Sequence, residues 1–324
     1  MPWADWYPEM SDLPKVLFTL AAPREDFAPL EGVASLLLPA RGFVPLSREE
    51  TLSHLAECEG VISQGELRID EEILDAAPSL RLVANAAMGT DNLDLEALRR
   101  RGIVATRTPD AFAESTADLT LGLILDLTRR IAEGDRHVRS GQWARGLEPL
   151  RWEGSLLAGK VLGIIGYGRI AQRVERRARA FGMEVVHTRR HPDDAPGCRP
   201  LEALLAESDI VVALCPLTPE TRHLVNAERL AMMKPGSRFI NMARGKVMDE
   251  AAVVEALRSG HLAGAAFDVF EHEPSVSPEL FEMEQVVLTP HIGGATREER
   301  RGGRLEAAAE AARFFRGEPL LHAL

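Results

Sequence analysis

Short apolar runs alternate with segments of helical periodicity along most of the chain, the pattern of α/β units built around parallel sheets. In the first third, Val16–Leu20, Gly60–Ser63, Leu80–Ala84 and Gly102–Thr106 read as strands. Asp70–Ala77, stopped by Pro78, and Asp94–Arg101, stopped by Gly102, read as helices between them. From about Asp110 to Arg139 the pattern predicts one long helix, with Leu119, Leu123, Ile124, Leu127 and Ile131 on one apolar face. Ser140–Gly159 is rich in Gly, Trp, Arg and Pro and reads as an irregular crossing. The strand–helix rhythm resumes with strands at Val161–Ile165, Glu184–His187, Ile210–Leu214, Arg238–Asn241, Ala263–Phe267 and Val286–Leu288. A final helix, Thr296–Arg316, opens on Thr296-Arg297-Glu298-Glu299, a capping-box pattern, and ends at Gly317.

Composition narrows the picture without naming a function. A chain of 324 residues suggests two domains at roughly 150 residues each. The net charge of −11 speaks against a nucleic-acid surface, which should be basic. No apolar run approaches the roughly 18 residues needed to span a bilayer, so no membrane partner is expected. Met1–Glu9 has no apolar stretch and does not read as a secretory signal. Cys58, Cys198 and Cys215 are far apart and form neither a metal-ligand spacing nor a disulfide framework, so a reducing cytoplasm is expected and no metal.

Candidate chemistry enters at Val161–Ala171. Gly166-Tyr167-Gly168-Arg169-Ile170-Ala171 follows a predicted strand and enters a predicted helix, Gln172–Phe181. Gly166 suits a tight turn, Gly168 a close backbone approach to a pyrophosphate, and Ala171 tight helix–strand packing. The N–H groups of Arg169 and Ile170 then lie at a helix N-terminus, where an anion is favoured. A plain strand–helix turn without ligand is the competing reading; the surrounding βαβ rhythm favours a dinucleotide. At the end of the next strand, where an acid would grip the ribose of NAD, stand Arg189 and Arg190. Two cations there favour a 2′-phosphate, hence NADP(H), with NAD(H) as the alternative. Against this, the pair could be a solvated loop.

Further polar residues fall just past predicted strand ends, where open α/β sheets build their sites. They are Arg244 in Asn241-Met242-Ala243-Arg244-Gly245, the acids of Asp268-Val269-Phe270-Glu271-His272-Glu273-Pro274, and His291 in Thr289-Pro290-His291-Ile292-Gly293. Arg244 can hold a carboxylate bidentately and polarise an adjacent ketone. His291 can give a proton to a developing alkoxide, and a nearby carboxylate can orient it and favour its protonated form. From the residues alone, Glu271 and Glu273 compete equally for that carboxylate role. His54, His137, His223 and His261 have no partner motif and read as surface residues, as does His272. Cys215 reads as a packing residue rather than a nucleophile.

From about Lys15 to Pro319 the chain resembles the D-isomer-specific 2-hydroxyacid dehydrogenases. The resemblance rests on Ala87-Met88-Gly89-Thr90-Asp91-Asn92, the glycine loop, Pro216-Leu217-Thr218-Pro219-Glu220-Thr221, and the three segments around Arg244, Glu273 and His291. The order and the gaps, 29 positions from Arg244 to Glu273 and 18 from Glu273 to His291, also fit. The resemblance implies two Rossmann-like or flavodoxin-like parallel-sheet domains. Residues 1–108 and 293–324 would form a discontinuous substrate domain, and 109–292 the dinucleotide domain. It implies Arg244, Glu273 and His291 as the catalytic trio, the acid being the one directly before the proline. Asp268 would stand beside the nicotinamide carboxamide. Met242, Ala243 and Thr221 would line the cofactor, and the Met88–Gly89 backbone would receive the substrate carboxylate. The implied reaction reduces a small 2-keto acid to a D-2-hydroxy acid, with His291 as proton donor. Details of the runs are most similar to glyoxylate/hydroxypyruvate reductases, with 2-ketogluconate reductases or short phosphoglycerate dehydrogenases as alternatives and an NAD(H)-sensing corepressor as the non-enzyme one. With 33 residues after His291, the form with an added regulatory domain is not expected. The long helix is the family's usual dimer arm, so a homodimer is expected.

Overall fold

Lys15–Phe18 forms the first strand, β1, followed by β2 (Ser35–Leu37), α1 (Arg48–Leu55), β3 (Gly60–Ser63), α2 (Glu71–Ala76), β4 (Leu82–Asn85), α3 (Leu95–Arg100) and β5 (Val104–Arg107). The computed structural model describes residues 13–39, 46–146, 149–191 and 194–324; Met1–Glu9 and part of the 140–159 crossing lie outside them. The five strands form one parallel sheet in the order β2-β1-β3-β4-β5. Strands β3 and β4 are buried at every position, which is why they read as continuous apolar runs rather than alternating ones. The three-residue β2 was not foreseen; so short a strand carries too little pattern to be told from a loop. Each helix starts on a side-chain cap: Ser47 in a full capping box, then Asp70 and Asp94.

The second half of the chain begins with α4 (Ala113–Arg129) and α5 (Ile131–Arg139), where one long helix was expected. Arg130 takes a left-handed conformation, φ 54°, and breaks it. The Arg130 N–H donates to the Asp126 carbonyl at 2.6 Å, while the Asp126 carboxylate accepts the Ala132 N–H at 2.8 Å and so starts the second helix. Ile131, expected on the apolar face, is consequently 56% exposed. His137, expected at the surface, is buried with its ring 4.9 Å from that of Trp152.

The chain continues through β6 (Val161–Ile165), α6 (Arg169–Ala180), β7 (Glu184–Thr188), α7 (Leu201–Glu207), β8 (Ile210–Ala213), α8 (Ala227–Ala231), β9 (Ser237–Asn241), α9 (Glu250–Arg258), β10 (Leu262–Phe267) and β11 (Val286–Leu288). These strands form a second parallel sheet, ordered β11-β10-β9-β8-β6-β7. On one face Ala117, Leu121 and Ile124 of α4 and Ala171, Val174 and Ala178 of α6 pack on Leu162, Ile164 and Ile240. Burying one such leucine or isoleucine contributes about 1.5–3 kcal/mol.

The last helix, α10 (Arg297–Arg316), returns to the first sheet. The Thr296 hydroxyl accepts the Glu299 N–H at its start, and Gly317, φ 70°, ends it. Ala307, Ala308, Ala311 and Ala312 let it lie close on Val16, Phe18, Ile62 and Ala84, and Arg304 pairs with the buried Asp26 at 2.6 Å. The chain therefore divides into one unit of residues 1–112 with 295–324 and another of 113–294.

Candidate active site

Within the 113–294 unit, the turn between β6 and α6 depends on glycine at one position above all. Gly166 has φ +91°, and a Cβ there would fall 2.6 Å from the Cα of Cys215 in the loop after β8. Cys215 is buried, and burial pushes its thiol up to about 11, as suits a packing residue. Gly168, the residue before α6, faces open space: a Cβ would meet nothing within 4 Å. Helix α6 begins at Arg169, three residues earlier than the sequence pattern suggested. Ile170 and Ala171 thus occupy its first turn, where N–H groups have no partner inside the helix. Ala171 is buried in the helix–sheet packing. These features fit a pyrophosphate at the helix N-terminus.

The end of β7 is shaped by a stack that sequence reasoning missed. The Tyr167 and His187 rings lie 3.5 Å apart at 11°, and the Arg189 guanidinium stands 5.4 Å from the Tyr167 ring. The Tyr167 hydroxyl bonds to Glu175; burial and that bond push the phenol up to about 12, so it stays neutral. Arg190 is exposed and pairs with Glu220 at 3.3 Å. Tyr167 and His187 are 20 positions apart in the chain, and only the adjacency of β6 and β7 joins them. The Thr221 hydroxyl closes its own loop, donating to the Pro216 carbonyl and accepting the Thr218 N–H, both at 2.7 Å.

Arg244 follows β9. The buried Asn241 side chain shapes this turn, donating to the Arg244 carbonyl at 3.0 Å and accepting the Ala243 N–H at 3.1 Å. Met242 and Ala243 are buried, Arg244 is half-buried, and its guanidinium donates to the Ala243 carbonyl at 2.8 Å. Gly245 is required sterically: a Cβ would lie 1.8 Å from the Phe270 backbone. Asp268, buried after β10, accepts the Thr289 hydroxyl at 2.6 Å, the Ile292 N–H at 2.8 Å and the Gly293 N–H at 2.7 Å. Its carboxylate therefore clamps the loop that carries His291.

His291 Nδ1 and Glu273 Oε2 are 2.8 Å apart, and Glu273 Oε1 accepts the Phe270 N–H at 2.9 Å. Glu273, not Glu271, is thus the partner of His291. Its hydrogen bond raises the imidazole above its ordinary value, against burial and Arg244, which lower it. Burial pushes the Glu273 carboxyl up, but the His291 and Phe270 hydrogen bonds outweigh it and hold the group below its ordinary value, with help from Arg244. The Nδ1–carboxylate bond assigns Nδ1 as donor and leaves Nε2 for exchange with a substrate. Glu271 instead pairs with His223 at 2.7 Å, so His223 is not the partnerless surface residue expected. The buried Glu250 accepts the Glu271 N–H at 3.0 Å and the Ser277 N–H at 3.2 Å, tying down the loop that bears Glu273. Acids at 250 and 271 and the histidine at 223 were visible, but nothing in their spacing joined them.

In the other unit, Met88 and Gly89 follow β4. Asn85, buried, donates to the Gly89 carbonyl at 2.8 Å, and the Thr108 N–H donates to the Ala87 carbonyl at 3.2 Å, which fixes the orientation of this loop. No group of three or more metal-ligating side chains occurs among the described residues, and none of their helices is long and apolar enough to cross a membrane.

Residues 121–293 match the family described as D-isomer specific 2-hydroxyacid dehydrogenase, NAD binding domain. A glyoxylate reductase of Pyrococcus furiosus is 42% identical over 315 residues, covering 94% of this chain and 93% of that one. The chain belongs to the D-isomer-specific 2-hydroxyacid dehydrogenases. The solved TT0316 protein of Thermus thermophilus has a TM-score of 0.89 and 40% identity, covering 96% of this dehydrogenase and 99% of that chain. An NADPH-dependent glyoxylate/hydroxypyruvate reductase of Sinorhizobium meliloti, solved with NADP and malonate, has a TM-score of 0.81 and 30% identity, with 96% of each chain covered. This dehydrogenase is an NAD(P)-dependent oxidoreductase acting on CH–OH groups, with a nicotinamide cofactor and a small keto acid as the reduced substrate.

Proposed function

We propose that this dehydrogenase reduces a small 2-keto acid of the glyoxylate or hydroxypyruvate kind to a D-2-hydroxy acid, using NADPH. The observation that carries the reading is the 2.8 Å bond between His291 Nδ1 and Glu273, which raises the imidazole above its ordinary value and so favours its protonated form, with Nε2 left for the reacting oxygen. When bound, a reduced nicotinamide would supply the hydride for the carbonyl carbon. His291 gives its proton to the carbonyl oxygen, and Glu273 stabilises the cation before transfer. Arg244 holds the substrate carboxylate and polarises the ketone; its cationic fork matches a carboxylate bidentately. Asp268 positions His291 through the 289–293 loop; because both of its oxygens are engaged there, its proposed place beside the nicotinamide carboxamide has less support. In the other unit, the Met88–Gly89 backbone is the proposed receiver of a substrate carboxylate.

Gly166, Gly168, Arg169, Ile170 and Ala171 hold the pyrophosphate, and Met242 and Ala243 line the cofactor through their backbone. Arg189, set beside the Tyr167–His187 stack, and Arg190 receive the 2′-phosphate. For Thr221 the support is weaker, because its hydroxyl is engaged within its own loop. On this reading the 113–294 unit is the cofactor domain and the other unit binds substrate. A cytoplasmic homodimer completes the proposal; Ile131, Val138 and Trp143 expose apolar side chains near the kinked helix pair, at 56%, 53% and 57%. Sedimentation would test the dimer.

The deciding experiment is a panel of 2-keto acids assayed with NADPH and NADH separately. Glyoxylate and hydroxypyruvate should give the highest kcat/KM, and NADPH should be preferred. A preference for NADH would overturn the role of Arg189 and Arg190; faster turnover of 2-ketogluconate would overturn the substrate class.

A further inference from the structure

The reacting groups stand past the carboxyl ends of the second sheet. At the opposite, amino-terminal edge of the same sheet is a cavity of about 150 Å³ that the reaction does not use. By comparison, roughly 10–15 Å³ suffices for one water. It is lined where β6, β8 and β9 begin, and Leu156 on its wall is 78% exposed, so solvent reaches it. Its charge is unusual for a chain of net −11. Lys160, Lys234 and Arg238 line it against one carboxylate, Asp209. The two lysine Nζ atoms lie 3.8 and 3.4 Å from the same Asp209 oxygen, whose companion oxygen already accepts the Val161 N–H at 2.8 Å. Arg238 has no carboxylate partner among the described residues. The Ser237 hydroxyl is buried in the wall without any hydrogen-bond partner.

Surplus positive charge and a half-buried guanidinium line one small cavity, and Ser237, whose buried hydroxyl is unsatisfied, belongs to the same wall. We propose that this cavity is a second anion site, separate from the cofactor's, that binds a phosphate-class oxyanion, either free or as the head of a phosphomonoester. The oxyanion neutralises the two surplus cations and accepts from Ser237 Oγ. Charge-assisted bonds to Lys160, Lys234 and Arg238 supply most of the affinity. Nothing in this assignment depends on the identity of the keto acid.

The test titrates the enzyme, saturated with NADPH so that the cofactor's own phosphate contacts are filled, with inorganic phosphate and separately with glycerol phosphate, by calorimetry at constant ionic strength. One saturable site is expected. Lys234→Gln and Lys160→Gln should each weaken it at least ~10-fold, the scale of one lost charge-assisted hydrogen bond. Ser237→Ala should weaken it less, and basal turnover of all three should match the parent. Saturable binding of glycerol phosphate identifies the phosphomonoester as a ligand; binding of inorganic phosphate alone identifies the free ion. Binding that is absent, that chloride reproduces, or that both lysine variants retain at full strength would overturn the site. Because the lysines are solvent-reached, their variants should fold normally, which circular dichroism checks.

Discussion

His291 has a left-handed backbone, φ 53°, and leans on three carboxylate contacts made by others: Glu273 on its ring and Asp268 on the two N–H groups that follow it. The imidazole is raised and the Glu273 carboxyl lowered, so the ion pair persists between those two values. Its contribution to stability is lost as pH rises through the raised His291 value and as pH falls through the lowered Glu273 value. Reduction needs the protonated imidazole, so kcat for reduction should fall as pH rises through the His291 value. In Glu273→Gln the chief cause of the raise is gone, and that alkaline limb of the pH–rate profile should move to lower pH; an unmoved limb would remove Glu273 from the mechanism. His291→Ala should lose at least ~100-fold in kcat, the usual scale for a general acid, with little change in the binding of NADPH measured by fluorescence.

At the scale of elements, the site is a set of strand ends brought together by parallel pairing. The turns after β9 and β10 touch through Gly245, where a Cβ would lie 1.8 Å from Phe270. Gly245→Ala must therefore displace the loop that carries Glu273, and should cost about 1–3 kcal/mol of stability by denaturant unfolding as well as activity. Undiminished kcat in that variant would mean the two turns are not mechanically linked. All strands but the three-residue β2 were legible, because buried parallel strands read as unbroken apolar runs. The break at Arg130 was not: a left-handed arginine follows from the Asp126 side chain bonding the Ala132 N–H, a local choice that periodicity averages over. Nor was the Glu250–Glu271–His223 network, whose members are scattered in sequence and meet only because α9 starts beside the 270–277 loop.

For the molecule as a whole, the two units have separate sheets and separate cores, and the chain passes from the first to the second and back through α10. NADPH contacts proposed for the 113–294 unit predict unequal protection. At a concentration of 100 Kd the cofactor should stabilise that unit by about 2.7 kcal/mol. Hydrogen exchange should slow most in the β6–α6 turn and the segments after β7 and β9. Equal slowing in the sheet of the other unit would contradict the assignment of the cofactor to one unit. The net charge of −11 also gains a spatial meaning, because cations are gathered at the strand ends of one sheet and again at its opposite edge.

Strand positions, the glycine turn and the order of Arg244, Glu273 and His291 were written in the linear chain, since burial periodicity, special backbone conformations and the residue types of acid–base chemistry all leave local marks. Partner choice was not. Glu271 and Glu273 are two residues apart in one loop, and by type either could serve His291. Tertiary placement sends one to His223 and the other to His291. Likewise the Tyr167–His187–Arg189 stack and the cavity around Ser237 are assembled across neighbouring strands. Hydrogen bonds and ring contacts act over a few ångströms, and only folding decides which residues come that close.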